Sequence, residues 1–260
     1  MIDIENAKKV FLEYVKDYDI TNGRIKLKME HILHVAENSK MIAQYLKLDE
    51  EKIKLAELIG IFHDIGRFEQ ARVYDTFSDK DSGVDHAAYS LKVLYDDGLI
   101  SKFINTNEYD EIIKVSVYNH NKAKIAENVE GEALLFSKII RDADKLDIYR
   151  VINEDAMIDI FWYKDFNGQE IHEEIFKHFI ENKFINYKEI QNNADQILAF
   201  YNYIYDFNFP YCLKIIKDNK YLENFYNRVV EKFNSESVAK KTKQVLEMCN
   251  KFIQEEIEKI

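Results

Sequence analysis

Apolar residues recur along this 260-residue chain at separations of three and four, the spacing that gathers them on one face of an α-helix. The pattern predicts a first helix over residues 3–17, with Val10, Phe11 and Val15 on its apolar side, before Thr21, Asn22 and Gly23 open a loop. A second is expected over approximately 27–46, where Ile32, Val35, Ala36, Ala43 and Leu46 fall on neighbouring turns and leave another face for a cleft. Asp49 followed by Glu50 and Glu51 reads as an N-cap with acidic residues at the positive end of the helix dipole. It opens a third helix through KIKLAELIGIF that should weaken near Gly66. Further helices are expected around 84–97, 108–120, 132–149, 169–183 and 193–206, with one or two long pieces after Pro210.

The punctuation agrees. One proline and seven glycines are too few for a turn-rich sheet protein and favour long helices. No repeat and no low-complexity linker divides the chain, so the expectation is one all-α domain over 1–260. It would have a core at approximately 22–150 and a C-terminal helical extension at approximately 151–260. Within 153–192, Trp162, Gly168, His172 and His178 fit either a substrate cap or an ordinary helical excursion.

Composition narrows the partners. A hydrophobic content of 47%, with 17 tyrosines and 17 phenylalanines, suffices for a substantial core. The formal charge of −11 argues against a dedicated duplex nucleic-acid binder. It leaves room for a small phosphate ester, because local cations can reverse the field inside a cleft. Cys212 and Cys249 form neither a CxxC pair nor a disulfide framework, which favours a reducing compartment, and a cytoplasmic location is expected. No apolar run approaches the roughly 20 residues a membrane helix needs, so no membrane partner is expected. A P-loop motif and a serine nucleophile elbow are both lacking, which disfavours kinases, P-loop ATPases and serine hydrolases.

Chemistry concentrates in three segments: LKMEHILHVAENSK around His31, FHDIGRF at 62–68, and SKIIRDADKLDIYR at 137–150. Imidazole nitrogen and carboxylate oxygen suit Mn, Fe, Zn and related divalent ions. FHDIGRF sets His63 and Asp64 inside an apolar run, where an unpaired polar group is costly. Metal coordination and a buried hydrogen-bond network both answer that cost. Adjacent helical residues point about 100° apart, so His63 and Asp64 would flank one ion rather than share a stripe. His31 and Asp144, from two further helices, would complete the set.

HILHV, FHDIGRF and RDADKLD, in that order over 27–150, resemble the HD-domain phosphohydrolase superfamily, especially its small bacterial helical members. His34 stands where a basic residue is frequent in that family. The resemblance implies an HD-like helical bundle in which His31, His63, Asp64 and Asp144 hold a metal. Asp142 is the best alternative ligand, and otherwise Asp142 and Asp147 would orient Arg141, histidines or a helix terminus. His86 in SGVDHAAYS and His120 in VSVYNHNKAK would hold a second metal with Asp64 bridging, or else contact phosphate or satisfy the core. The implied cofactor is one or two divalent ions (Mn, Fe, Co, Zn or Mg).

The implied activity is hydrolysis of a phosphate monoester, nucleotide or phosphodiester by metal-activated water, with His63, Asp64, Arg67, His86 and His120 as catalytic candidates. Arg67 is the first candidate for phosphate contact, ahead of Lys122, Lys124 and Lys145, with an ordinary ion-pair role as its alternative. Competing readings are a regulatory nucleotide-binding module with little turnover and an HD-type diiron oxygenase. The expected partner is a small phosphorylated molecule or nucleotide, and a homo-oligomer stays open.

Overall fold

The computed structural model describes residues 1–161 and 164–259, and among them every regular element is a helix, as the periodicity predicts. The chain divides into two compact units, Met1–Asp147 and Ile148–Ile260.

The first unit contains α1 (Ile4–Val15), α2 (Gly23–Tyr45), α3 (Glu50–Phe62), α4 (Gly66–Tyr74), the short α5 (Asp79–Ser82), α6 (His86–Leu91), α7 (Ile100–Phe103), α8 (Asp110–Asn119) and most of α9 (Gly131–Glu154). α2 and α3 form its most extensive helix pair. Their close approach depends on Gly60, where a Cβ would stand 2.5 Å from the Ala36 Cα. Asp49 caps α3, its side chain accepting from the Lys52 amide at 3.0 Å. α1 packs on α3 and α7, α4 on α6, and α8 on α3 and α6. Phe11 meets Phe68 edge-on with ring centroids 6.0 Å apart, and Phe62 meets Phe103 at 4.9 Å.

The second unit adds α10 (Met157–Ile160), α11 (Glu173–Asn182), α12 (Asn193–Asn202), α13 (Pro210–Asp218), α14 (Tyr221–Phe233) and α15 (Glu236–Ile257). α12, α13 and α14 pack on α15, around edge-to-face contacts among Phe161, Phe166, Phe200, Phe225 and Phe233. The residues read as a cap are engaged inside this unit: His172 Nδ1 lies 2.8 Å from the buried Asp195 carboxylate, and His178 touches Phe184. Trp162 lies outside the described residues.

Three of the departures from the expected helix ends have an evident cause. α2 starts at Gly23, where the Asn22 side chain accepts from the Arg24 amide at 3.0 Å. α3 stops at Phe62, and Gly66 opens a separate helix instead of fading out the third. Residues 55–66 are buried without interruption, so no polar face in the sequence registers that break. After Pro210 there are three helices, because the chain turns at Lys220 and Asn234 with φ of 53° and 46°. Neither is a glycine, the usual marker of a left-handed turn. No helix among the described residues is long and apolar enough to cross a membrane.

Candidate metal centre

Five elements of the first unit deliver the polar residues to one place. α2 supplies His31, the turn after α3 supplies His63 and Asp64, α6 begins with His86, α8 is capped by His120, and α9 supplies Asp144. His63 and His120 each stand one residue beyond the end of their helix, and each turns its Nδ1 back onto the carbonyl three residues earlier. His63 donates to Gly60 at 2.7 Å and His120 to Val117 at 2.6 Å. Last-turn carbonyls lack helical partners, so the bond satisfies the helix end and fixes the imidazole together.

The other two rings are oriented by carboxylates. His31 Nδ1 lies 2.7 Å from Asp147 Oδ2, and His86 Nδ1 lies 2.6 Å from Asp79 Oδ2. With a carbonyl or carboxylate on every Nδ1, each neutral ring carries its proton there and presents an Nε2 lone pair. Such outer partners are those that set the tautomer of metal-binding histidines.

The Nε2 atoms meet the carboxylates in two groups that share Asp64. Asp64 Oδ2 lies 3.6 Å from His63 Nε2 and 4.0 Å from His31 Nε2, while Asp144 Oδ1 lies 3.1 Å from His31 Nε2 and 3.9 Å from His63 Nε2. Asp64 Oδ1 faces the other way, 3.6 Å from both His86 Nε2 and His120 Nε2. Each group can hold one divalent ion: His31, His63 and Asp64 in the first, with Asp144 beside them, and Asp64, His86 and His120 in the second. The donor chemistry fits a metal on two counts. His63 Nε2 and Asp64 Oδ1 are buried with no hydrogen-bond partner, which is costly unless something else satisfies them. The donor set of imidazoles and carboxylates is one that Mn, Fe, Co and Zn accept.

Burial and charge polarise the site. Burial pushes His63 down to about 3, keeping the imidazole neutral, and it also lowers His86. For His31, burial and Lys28 act to lower the pKa, but hydrogen bonds with Asp144 and Asp147 raise it overall. Burial opposes ionisation of Asp64, yet Lys28, His63 and Arg67 outweigh it and hold the carboxyl well below its ordinary range. Asp144 is likewise held low against burial by its hydrogen bond with His31 and by the neighbouring histidines.

Lys28 and Asp79 are residues of the site that the sequence pattern did not single out. Lys28 Nζ lies 2.7 Å from Asp64 Oδ2, and its side chain is 22% exposed, so the ammonium reaches the cluster from the solvent side. A basic residue three positions before His31 is the signal that could have found it, since i and i+3 share a helix face. His34, also three positions from His31, is exposed. Asp79 was missed for another reason: it lies in a separate short helix, with nothing local to tie it to His86.

Arg67 is committed to its neighbours. One terminal nitrogen donates to Gln70 (2.9 Å), the Phe77 carbonyl (2.6 Å) and Asp79 (2.8 Å), and Nε lies 3.5 Å from Asp64 Oδ1. The guanidinium therefore bonds the carboxylate that holds His86 and lies in ion-pair range of Asp64. Lys122 pairs with Asp85 and covers the Tyr118 ring, Lys124 is exposed, and Lys145 is buried. Asp142 is fully buried, while Asp144, with its side chain 21% exposed, is the α9 carboxylate that reaches His31 and His63.

The chain matches no curated protein and no solved structure. Residues 29–149 match the family model described as HD domain, a span that contains both groups of candidate ligands. The segment that carries the site is thus similar to an HD domain, and it brings together His/Asp groups that could hold metal.

Proposed function

We propose that this protein is a metal-dependent phosphohydrolase acting on a phosphate ester of a small molecule, with nucleotides the first substrates to test. The observation that carries the reading is the division of Asp64, whose two oxygens face two histidine groups, each ready to hold an ion. Divalent ions bound there would supply Lewis-acid chemistry: activation of a water and neutralisation of phosphoryl charge.

The chain's own residues would do the rest. Lys28 offers a partly exposed ammonium beside Asp64, placed to receive a phosphoryl oxygen. Arg67 adds positive charge beside Asp64, and Asp79 and Asp147 hold the rings of His86 and His31. His31, His63, Asp64 and His120 are each no more than 6% exposed, so charges in the site act in a low dielectric. A chain of net charge −11 with two local cations, Lys28 and Arg67, at its candidate ligands suits a small anionic substrate better than a polyanion.

The test is a turnover screen with protein loaded separately with Mn, Co, Zn, Mg and, under anaerobic conditions, Fe. Substrates are p-nitrophenyl phosphate, nucleoside mono- and triphosphates, and linear and cyclic phosphodiesters. Phosphate-ester cleavage that is lost on chelation and restored by the ion is the expected result. Nucleotide-induced stabilisation without turnover by any metal form would replace the enzyme with a regulatory module. Oxygen uptake coupled to product formation by the iron form would replace hydrolysis with oxidation.

A further inference from the structure

Arg141 sits on α9 one turn before Asp144 and is 4% exposed. Its guanidinium donates to the carbonyls of Asn119 (2.9 Å), His120 (3.4 Å) and Ala123 (3.4 Å), and in a shorter contact to that of Lys122. They belong to the last residue of α8 and three residues just beyond it, where main-chain carbonyls lack helical partners and the negative end of the dipole lies. A planar, permanently charged group with five donors can span such a row of acceptors.

The same strip of chain is held a second time. Asp85 accepts from Asn121 Nδ2 at 3.1 Å and pairs with Lys122 Nζ. Asp85 is also the N-cap of α6, accepting from the Ala87 and Ala88 amides, and His86 is the first residue of that helix. The segment 119–123 thus ties three ligand carriers together: α8 with His120, α6 with His86 and α9 with Asp144.

We propose that Arg141 is the positioning residue of the second ion site. It holds the main chain that aims His120 at Asp64 Oδ1, so retention of the second ion depends on a guanidinium that is not one of its ligands. The first ligand group, on α2, the turn after α3, and α9, does not pass through segment 119–123 and keeps its ion without Arg141. This inference rests on the two-ion reading of the site.

The test is a manganese titration of the full chain, wild type against Arg141→Lys and Arg141→Met, read as ions bound per chain and as the electron paramagnetic resonance signal of coupled or isolated manganese. Arg141→Lys keeps the buried charge, but a single ammonium cannot span four carbonyls. The wild type should take two ions. Both variants should keep the first and bind the second roughly 10- to 100-fold more weakly, the usual cost of losing an outer partner, with the coupled signal giving way to an isolated one. Two ions held at wild-type affinity by the variants, with only a lower Tm, would overturn the assignment and leave the two-ion reading standing. A wild-type chain that takes a single ion would overturn both, and that failure is visible without any variant. Should Arg141→Met fail to fold, Arg141→Lys alone decides.

Discussion

His86 and His120 present their Nε2 atoms to each other across 3.2 Å, although each ring has an acceptor on its Nδ1. With both protons held at Nδ1, two lone pairs confront one another and the buried Asp64 Oδ1 3.6 Å from each. Three electron-rich atoms converging without a donor among them is an arrangement that a cation relieves. A shared proton would relieve the pair of rings in part, but burial lowers the pKa of His86.

From this contact follows a stoichiometry. Chains reconstituted with manganese should hold about two ions, and the His86→Ala, His120→Ala double variant about one, because the other group keeps His31, His63 and Asp64. Elemental analysis together with turnover on the same preparation checks it. A correctly folded double variant still holding two ions would remove both histidines from the ligand set.

Asp64 and Asp144 should differ in what their loss does. Asp64→Asn removes charge from both groups and is expected to lower affinity for both ions, whereas Asp144→Asn disturbs only the group of His31 and His63. Turnover should fall at least about tenfold in each, and less in Asp142→Asn. Metal titration of the three variants ranks them; an Asp142→Asn defect exceeding that of Asp144→Asn would transfer the ligand role.

Lys28 and Arg67 should separate kinetically. Lys28→Met is expected to raise KM for a phosphate ester roughly tenfold, about 1.4 kcal/mol, with metal content retained. Arg67→Ala should instead weaken ion retention, since its guanidinium bonds Asp79 and lies in ion-pair range of Asp64. Full metal content in Arg67→Ala with a raised KM would return Arg67 to the role of phosphate contact.

Gly66→Ala tests the seating of α6. A Cβ at Gly66 would lie 2.5 Å from the Ser90 amide nitrogen and 2.7 Å from the Tyr89 carbonyl carbon, both main-chain atoms that cannot step aside alone. The Gly66 amide also donates to Ser90 Oγ at 3.0 Å. Overpacking of this kind costs about 1–3 kcal/mol, so a lower Tm is expected, together with weakened binding of the ion that His86 holds. An unchanged Tm would show that α6 can move away freely.

The metal-free protein should lose stability as pH falls below about 6.5, where an unfolded imidazole takes up a proton. Folded His63 stays neutral down to about 3, so between those values the unfolded state binds the extra proton and is favoured. His31 shifts upward and contributes in the opposite sense, which is why the check is a difference. Melting curves of wild type and His63→Gln from pH 7 to 4 should show a shallower decline in the variant. Parallel declines would mean that His63 is protonated in the folded chain.

What the sequence determined by itself was the helical character and three of the segments that carry candidate ligands. Three- and four-residue periodicity is local, and so is the pairing of His63 with Asp64 in an apolar run. Caps such as Asp49 are local too, and the structure has it in that role. Only the tertiary structure decided what those residues do to one another. Gly66 reads as the weakening of a helix and Gly60 as one more position inside it, but both let main chains approach, and the partner atoms lie 24 residues away on each side. That Asp64 turns one oxygen to His63 and the other to His86 and His120 depends on the placement of five elements, to which periodicity is blind. Asp79 and Arg141 carry no signal in their own neighbourhood for the same reason: their partners lie 7 and 18 to 22 residues away, and only folding brings an isolated charge to the group that needs it.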